Sequence, residues 1–387
     1  MAKLPLIPLS APAVGGNAWR YVKDCLDTGW VSSVGRYVSD FERSTAAFTG
    51  SKHAVACVNG TAGLHASLTM SGIGRGDAVL VPALTFIATA NAVAYTGAAC
   101  LFVDCEPRRF NMDFARLEEY LEKSCVRRRG GALIHKSTGL RVKALMPAHI
   151  LGYPADLDAA QRLCRRFGLI LIEDAAESVG STWRGRHTGL YGRFGVLSFN
   201  GNKLITTGGG GMILAQSASL ARRAKHLTTQ AKSHPTEYAH DAVGWNYRLT
   251  NVLAALGVSQ MELLPSYLEK RRKIAGWYRA TLPGVPVAAE DPRAVWNRWL
   301  FAAEVPGAKD KARLLAAMDA AACQARPLWQ PIPTQKPYRG HPSMPIPAAL
   351  AAYARTINIP STTTMTRADA ARVAAVLRRA PLTRLLA

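Results

Sequence analysis

Two residues, Lys203 and Asp174, carry the types and placement that covalent chemistry on a flat cofactor requires. Asp174 closes the apolar run LILI, which puts its carboxylate at the carboxyl end of a buried strand, where open α/β sheets bind ligands. A carboxylate there can pair with a protonated pyridine nitrogen and turn the ring into an electron sink. Lys203 lies between the apolar run VLSFN and the glycines Gly208 to Gly211. Partial burial lowers a lysine's pKa and frees its lone pair to attack a carbonyl, and nearby glycines let backbone approach a flat ligand. The segment Asn59-Gly60-Thr61-Ala62 follows HAVACV and opens a helical pattern. Unpaired amides at a helix N-terminus, with a hydroxyl beside them, make a ready anion site. Ser198, in Ser198-Phe199-Asn200, brings a second hydroxyl toward the same anion, and Phe86, in the loop after VPALT, can stack on a ring.

Each residue alone has a plainer account: a helix-capping aspartate, an exposed turn lysine, a threonine cap and a core phenylalanine. Together they supply an amine, a partner for a ring nitrogen, a phosphate cradle and a stacking face, which are the parts pyridoxal phosphate chemistry uses. The residues expected to do chemistry are Lys203 and Asp174. Those expected around the cofactor are Gly60, Thr61, Ala62, Phe86, Asp174, Ser198, Asn200 and Lys203. For substrate, Trp30 and Ser32 in GWVSS, and Arg326 and Trp329 in RPLW, are candidates; an aromatic can stack on a base and an arginine can fork onto a diphosphate. Tyr247 and Arg248 can serve the same end, and His149, near a strand end, is a further candidate for the pocket wall.

The elements that must position these residues are legible as a pattern. Short apolar runs (HAVACVN, DAVLVPAL, ACLFVDC, ALMPAHIL, LILIED, VLSFN, GMILAQ) alternate with helix-period stretches. That alternation predicts a mainly parallel, seven-stranded sheet in an α/β domain. PADLDAAQRLCRRFG reads as a helix stopped by Gly168. SCVRRRGGALIHKSTGLRV interrupts the alternation as a surface excursion with a hairpin around Ser137 to Gly139. From Asn251 to about Leu282 the spacing predicts a long linking helix, broken or kinked at Pro265. RWLFAAEV, KARLLAAMDAA and RADAARVAAVLRRA then supply a strand and two helices of a smaller α+β domain. The expected division is residues 1–250 for the large domain with its N-terminal segment, and 251–387 for the linking helix and small domain.

The chain has 387 residues and a net charge of +22. The charge is dispersed, without aromatic interleaving or a nucleic-acid-binding signature, so no nucleic acid partner is expected. Seven cysteines, with no CxxC pair and no zinc-ligand spacing, read as buried free thiols. No metal is expected. No run approaches the roughly 18 apolar residues of a membrane span, and the opening MAKLPLIPLSAPAVGG has no continuous apolar core of a signal sequence. The expected location is cytoplasmic.

The motifs GWVSSVGRYVSDFE, HAVACVNGTAGLH, GDAVLVPALTFIATANAVAYTGA, PAHILGYPADLD, IEDAAES, SFNGNKLITTGGGGM, GWNYRLTN and RPLWQPI occur in this order over nearly the whole chain. In them the sequence resembles the nucleotide-sugar aminotransferases of the DegT family, within the aspartate-aminotransferase-like fold (fold type I) of pyridoxal phosphate enzymes. The resemblance implies that Lys203 forms the Schiff base and Asp174 partners the pyridine nitrogen. It implies phosphate contacts for Thr61, Ala62 and Ser198 and ring stacking for Phe86. Asn246 corresponds to an asparagine that reaches the cofactor phosphate of a neighbouring subunit, so a homodimer with shared active sites is implied. Glu177 departs from the pattern, where glutamine usually follows Asp-Ala-Ala, and puts a carboxylate near the cofactor's phenolic oxygen. A lysine at 203, where sugar-dehydrating relatives carry histidine, implies a transaminase. The finer resemblance is to the LegC-type branch. It implies a UDP-linked 4-keto-6-deoxy-N-acetylhexosamine as acceptor and L-glutamate as donor, on routes toward bacillosamine or legionaminic acid. The alternatives are another nucleotide-linked keto-sugar (a 3-keto sugar, or a dTDP- or GDP-linked one) and a non-enzymatic DNA-binding regulator.

Overall fold

The computed structural model describes residues 4–387. Its centre is the expected sheet. The strands are β1 (His53–Cys57), β2 (Asp77–Pro82), β3 (Ala99–Val103), β4 (Arg141–Leu145), β5 (Ile170–Asp174), β6 (Phe194–Ser198) and β7 (Gly211–Ala215), in the order β1-β7-β6-β5-β4-β2-β3. Every neighbouring pair from β6 to β3 is parallel, and β7 alone runs antiparallel between β1 and β6. All residues of β2, β6 and β7 are buried. Helices cover both faces of such a sheet, which is why these strands read as continuous apolar runs.

The carboxyl ends of the six like-directed strands matter most, because β1 delivers Asn59, β2 delivers Thr85 and Phe86, β5 ends on Asp174 and β6 ends on Ser198. Gly211 opens β7 beside them. A Cβ on Gly211 would come within 2.6 Å of the Asn59 carbonyl carbon and 2.8 Å of the Gly60 nitrogen, so glycine there lets two backbones touch. Gly208 to Gly211 do not line the ligand cavity described below.

Helices α1 (Ala18–Asp27) and α2 (Arg36–Thr49) pack on α8 (Asn251–Thr281), while α3 (Gly60–Met70), α4 (Ala88–Tyr95), α5 (Phe114–Ser124), α6 (Leu157–Phe167) and α7 (Ala218–Thr228) flank the sheet. Gly168 ends α6 in the left-handed conformation, φ 71°, as its position predicts. The basic excursion forms the hairpin Cys125–Arg127 with Leu133–His135, and a second turn over Ser137 to Gly139 leads into β4. Pro265 does not break α8, which runs on for 31 residues through it. Proline removes one backbone donor, and the packing of α1, α2 and α11 (Arg367–Leu377) along α8 holds the helix together around it.

The remaining chain adds a four-stranded antiparallel sheet. Its strands are β8 (Phe301–Glu304), β9 (Arg326–Pro327), β10 (Thr356–Ile359) and β11 (Arg384–Leu386), in the order β9-β10-β8-β11, backed by α9 (Ala308–Ala320) and α11, with α10 (Pro347–Arg355) leading into β10. We propose residues 1–250 and 251–387 as the two domains; residues 1–3 lie outside the described ones. The N-terminal segment crosses that division, since Ile7 pairs with Cys323 and the Leu9 carbonyl accepts from the Ser361 amide at 2.8 Å.

Candidate active site

A cavity of about 690 Å³ opens at the carboxyl ends of the sheet, between the large domain and the small one. Asp174 forms part of its floor, 6% exposed. Its Oδ2 accepts from the Thr89 hydroxyl at 2.7 Å, Thr89 is 3.1 Å from the Thr85 hydroxyl, and Oδ1 accepts from the Ala176 amide at 3.2 Å. Two groups therefore fix the carboxylate directly, and Thr85 steadies one of them.

Lys203 Nζ lies 3.6 Å from Glu177 Oε1 and 4.2 Å from the centre of the Trp299 ring. Glu177 is itself anchored. Its Oε2 accepts from the Leu151 amide at 2.9 Å, and its backbone carbonyl accepts from Asn297 Nδ2 at 2.8 Å. Burial pushes the Glu177 carboxyl up to about 7, a rise that the Lys203 ammonium opposes and Asp174 reinforces. Trp299 is held by its own indole N–H, which donates to the Asn202 carbonyl at 2.8 Å, and by the buried Arg271, whose guanidinium donates to the Trp299 carbonyl at 2.8 Å.

At the opposite end of the cavity the N-terminus of α3 points inward, with Asn59, Gly60 and Thr61 on the wall and Ser198 and Asn200 beside them. A Cβ on Gly60 would sit 3.0 Å from Ser198 Cβ, so this corner is shaped by backbone and hydroxyl groups rather than by larger side chains. Phe86 stands over the cavity, 51% exposed. The wall contributed by the small domain includes Arg326, Trp329, Tyr353 and Asn358.

Several expected residues take other places. The Ala62 amide already donates to Asn59 Oδ1 at 2.8 Å, and Ala62 is absent from the cavity wall, so its N–H is spent on capping α3. His149 is fully buried and is not on the wall. Its Nδ1 accepts from the Ala155 amide at 3.1 Å and its Nε2 lies 3.3 Å from Glu173. Glu173 in turn accepts from the Gly189, Tyr191 and Gly192 amides, which makes this histidine part of a closed structural network. Trp30, Ser32, Asn246, Tyr247 and Arg248 also lie off the wall of this chain's cavity. Asn251, at the head of α8, binds the Trp30 carbonyl through its side chain at 2.7 Å and the Ser32 carbonyl through its amide at 2.6 Å. Trp30 and Arg248 line a second hollow of about 780 Å³ with Arg36 and Lys225. Tyr247 stacks on Trp245 and its hydroxyl lies 3.1 Å from His65 Nδ1, while Arg248 reaches Asn246 and Gln230.

Thr89, Trp299, Tyr353 and Asn358 carry no motif signal of their own, and they enter the site only through tertiary packing. The spacing of Thr85 and Thr89, four apart at the head of a helix, is the one cue that a hydroxyl ladder under Asp174 was available.

The family model for the DegT/DnrJ/EryC1/StrS aminotransferases matches residues 13–378. The chain belongs to that family. Among curated proteins, this aminotransferase is 39% identical to the GDP-perosamine synthase of Caulobacter vibrioides over 383 residues, covering 97% of this chain and 99% of the relative. It is 32% identical to the GDP-perosamine synthase of Escherichia coli O157:H7, covering 87% and 89%. Among solved structures, the aminotransferase TlmJ from Streptoalloteichus hindustanus superposes with a TM-score of 0.87 at 27% identity, covering 97% of this chain and 98% of that one. The protein is thus a pyridoxal-phosphate-dependent sugar-nucleotide aminotransferase. The residues present fit that cofactor: a fixed carboxylate for a ring nitrogen, a half-buried lysine, a phenylalanine able to stack and an anion corner at α3. Among the described residues no cluster of histidine, cysteine or acidic groups could hold a metal, and no helix is long and apolar enough to cross a membrane.

Proposed function

We propose that this aminotransferase transfers an amino group from L-glutamate to the ketone of a GDP-linked deoxy-sugar. The observation that carries the reading is the convergence of Lys203, Asp174, Phe86 and the α3 N-terminus on one cavity, closed on its far side by Arg326 and Trp329. The choice of nucleotide rests on the relatives, two of which are named GDP-perosamine synthases. It replaces the UDP-linked acceptor of the LegC-type resemblance with the GDP-linked alternative.

The roles follow from the geometry. Pyridoxal phosphate, when bound, supplies an electron sink that allows nitrogen to pass between two carbon skeletons. Asp174, fixed by Thr89 and the Ala176 amide, would pair with the ring nitrogen. Gly60, Thr61, Ser198 and Asn200 would hold the phosphate, where the amides of a helix N-terminus favour an anion. Phe86 would cover one ring face. Lys203 would hold the cofactor through Nζ, and its amine, when free, is the group placed to take a proton from the donor in one half-reaction and to return one to the acceptor in the other. Glu177, 3.6 Å away, balances the charge at Nζ, and Trp299 keeps the amine in line through its ring face.

We further propose a homodimer in which Asn246 and the Trp30, Ser32, Tyr247 and Arg248 group complete the partner's site. The reading is supported by the place of Trp30 and Arg248 on a separate hollow and by the exposure of Trp30, at 57%, and Val34, at 61%, on its wall. A cytoplasmic location accords with glutamate and sugar nucleotides as substrates.

The test is incubation of the cofactor-loaded protein and glutamate with GDP-, UDP- and dTDP-linked keto-sugars in parallel, with the product mass as readout. An amino sugar formed fastest from the GDP-linked acceptor is expected. Preference for the UDP-linked sugar overturns the nucleotide assignment, and no amino sugar from any of them overturns the function.

A further inference from the structure

Behind the cavity wall lies a cation without a counter-ion. Arg271, on α8, is 1% exposed and its Nε has no hydrogen-bond partner among the described residues. Burial alone pushes its pKa down, to about 9, with no acidic neighbour opposing the shift, so the group stays charged near neutral pH. A buried, unpaired charge destabilises a fold. The guanidinium is kept there by the bonds it does make.

Those bonds converge on the loop that carries Lys203. Nη1 donates to the Trp299 carbonyl at 2.8 Å and Nη2 donates to the Ser10 hydroxyl at 3.3 Å. Both of these residues then reach one atom, the Asn202 carbonyl, which accepts from the Ser10 hydroxyl at 3.0 Å and from the Trp299 indole N–H at 2.8 Å. Asn202 immediately precedes Lys203, and the Trp299 ring has its centre 4.2 Å from Lys203 Nζ. A planar guanidinium can hold two acceptors from separate segments at once, which a neutral side chain of similar length cannot. The turn that presents Trp299 also needs holding, because Arg298 takes a left-handed φ of 57°, a conformation that a residue with a side chain keeps only when its surroundings enforce it.

We propose that Arg271 is a positioning residue for Lys203: through Ser10 and Trp299 it fixes the peptide at the root of the lysine and the ring face beside its tip, and so sets the direction of Nζ. Arg271 is not on the cavity wall and acts only through these neighbours. The role rests on the aminotransferase reading, in which Nζ must meet a carbonyl carbon of the cofactor at a defined angle. Asp174, Phe86 and the N-terminus of α3, which would hold the ring and phosphate, share no bond with Arg271. Its loss therefore separates two properties: bond formation by Lys203 suffers, and retention of the cofactor does not.

The test adds two forms of the cofactor to the full chain freed of it. With pyridoxal phosphate, stopped-flow absorbance follows capture, in which the Nζ lone pair bonds to the aldehyde carbon and the aldehyde oxygen leaves as water. Pyridoxamine phosphate carries an amine in place of the aldehyde and cannot bond to Lys203, so its affinity, measured by equilibrium dialysis, reports how well the site holds the same ring and phosphate. Arg271→Met is expected to slow capture roughly ten- to hundredfold, the effect of a reacting group set about 1 Å out of line, and to leave the affinity for pyridoxamine phosphate within twofold. Should Arg271→Met fail to fold, Ser10→Ala carries the same test, with capture slowed roughly three- to tenfold by the loss of one hydrogen bond and the affinity for pyridoxamine phosphate again unchanged. Capture at the unsubstituted rate, or equal losses with both forms of the cofactor, overturns the positioning role alone. An unsubstituted protein that never captures pyridoxal phosphate overturns the function reading instead.

Discussion

Replacing Glu177 with glutamine tests the electrostatics of the site through stability rather than turnover. Burial raises the Glu177 carboxyl from an ordinary value of 4.5 to about 7 in the folded protein. The folded state therefore holds a proton that the unfolded chain has released between these two values, and stability falls as pH rises through that window. A shift of this size, at about 1.4 kcal/mol per unit, corresponds to roughly 3 kcal/mol lost by pH 7 and beyond, and not yet lost below about 4.5. Glutamine keeps an oxygen for the Leu151 amide, at 2.9 Å in the present structure, and does not titrate. Urea unfolding of cofactor-free protein at a series of pH values is the assay, because Lys203 is then a free amine. The Glu177→Gln variant is expected to show a flatter pH profile between about 5 and 7, and to be the more stable protein above that range. Parallel profiles for the two proteins would refute the reasoning, since they would mean that Glu177 ionises as it does in the unfolded chain.

Two further outcomes follow from neighbouring groups. Burial holds the His187 imidazole down to about 4, so its contribution to stability is complete above about pH 6.5 and is lost as pH falls toward 4; a nitrogen-15 titration that finds His187 charging at its ordinary value contradicts this. Thr89→Val removes the hydroxyl that donates to Asp174 at 2.7 Å, and cofactor affinity, measured by equilibrium dialysis of pyridoxal phosphate, should fall roughly tenfold; unchanged affinity would remove Thr89 from the site.

The large-domain sheet was legible in the sequence because its strands are buried on both faces, so β2, β6 and β7 leave continuous apolar runs. The same logic located Asp174, because a carboxylate that closes such a run must emerge at the ligand-binding edge. The small-domain strands β9, β10 and β11 are two to four residues long and too short for any period to show. Trp299 and Asn358 could not be found, because they face Lys203 and the cavity only through packing of segments about a hundred and more residues apart in the chain. The opposite error occurred at Ala62 and His149. Both sit within motifs of the site, but the Ala62 amide caps its own helix and His149 is saturated by Glu173 and Ala155. Motif spacing fixes which residues are near a site and says nothing of which hydrogen bonds are already taken. Trp30 and Arg248 mark a third limit, because both lie within family motifs yet line a hollow separate from this chain's cavity.

The most direct measurement is reduction of the cofactor-loaded protein with borohydride, followed by digestion and peptide mass analysis. The account predicts a pyridoxyl-phosphate mass increment on the peptide that contains Lys203, and none in Lys203→Ala or after prior conversion of the cofactor with glutamate. A label on another lysine, or unreduced protein that carries no covalently bound cofactor at all, would contradict it.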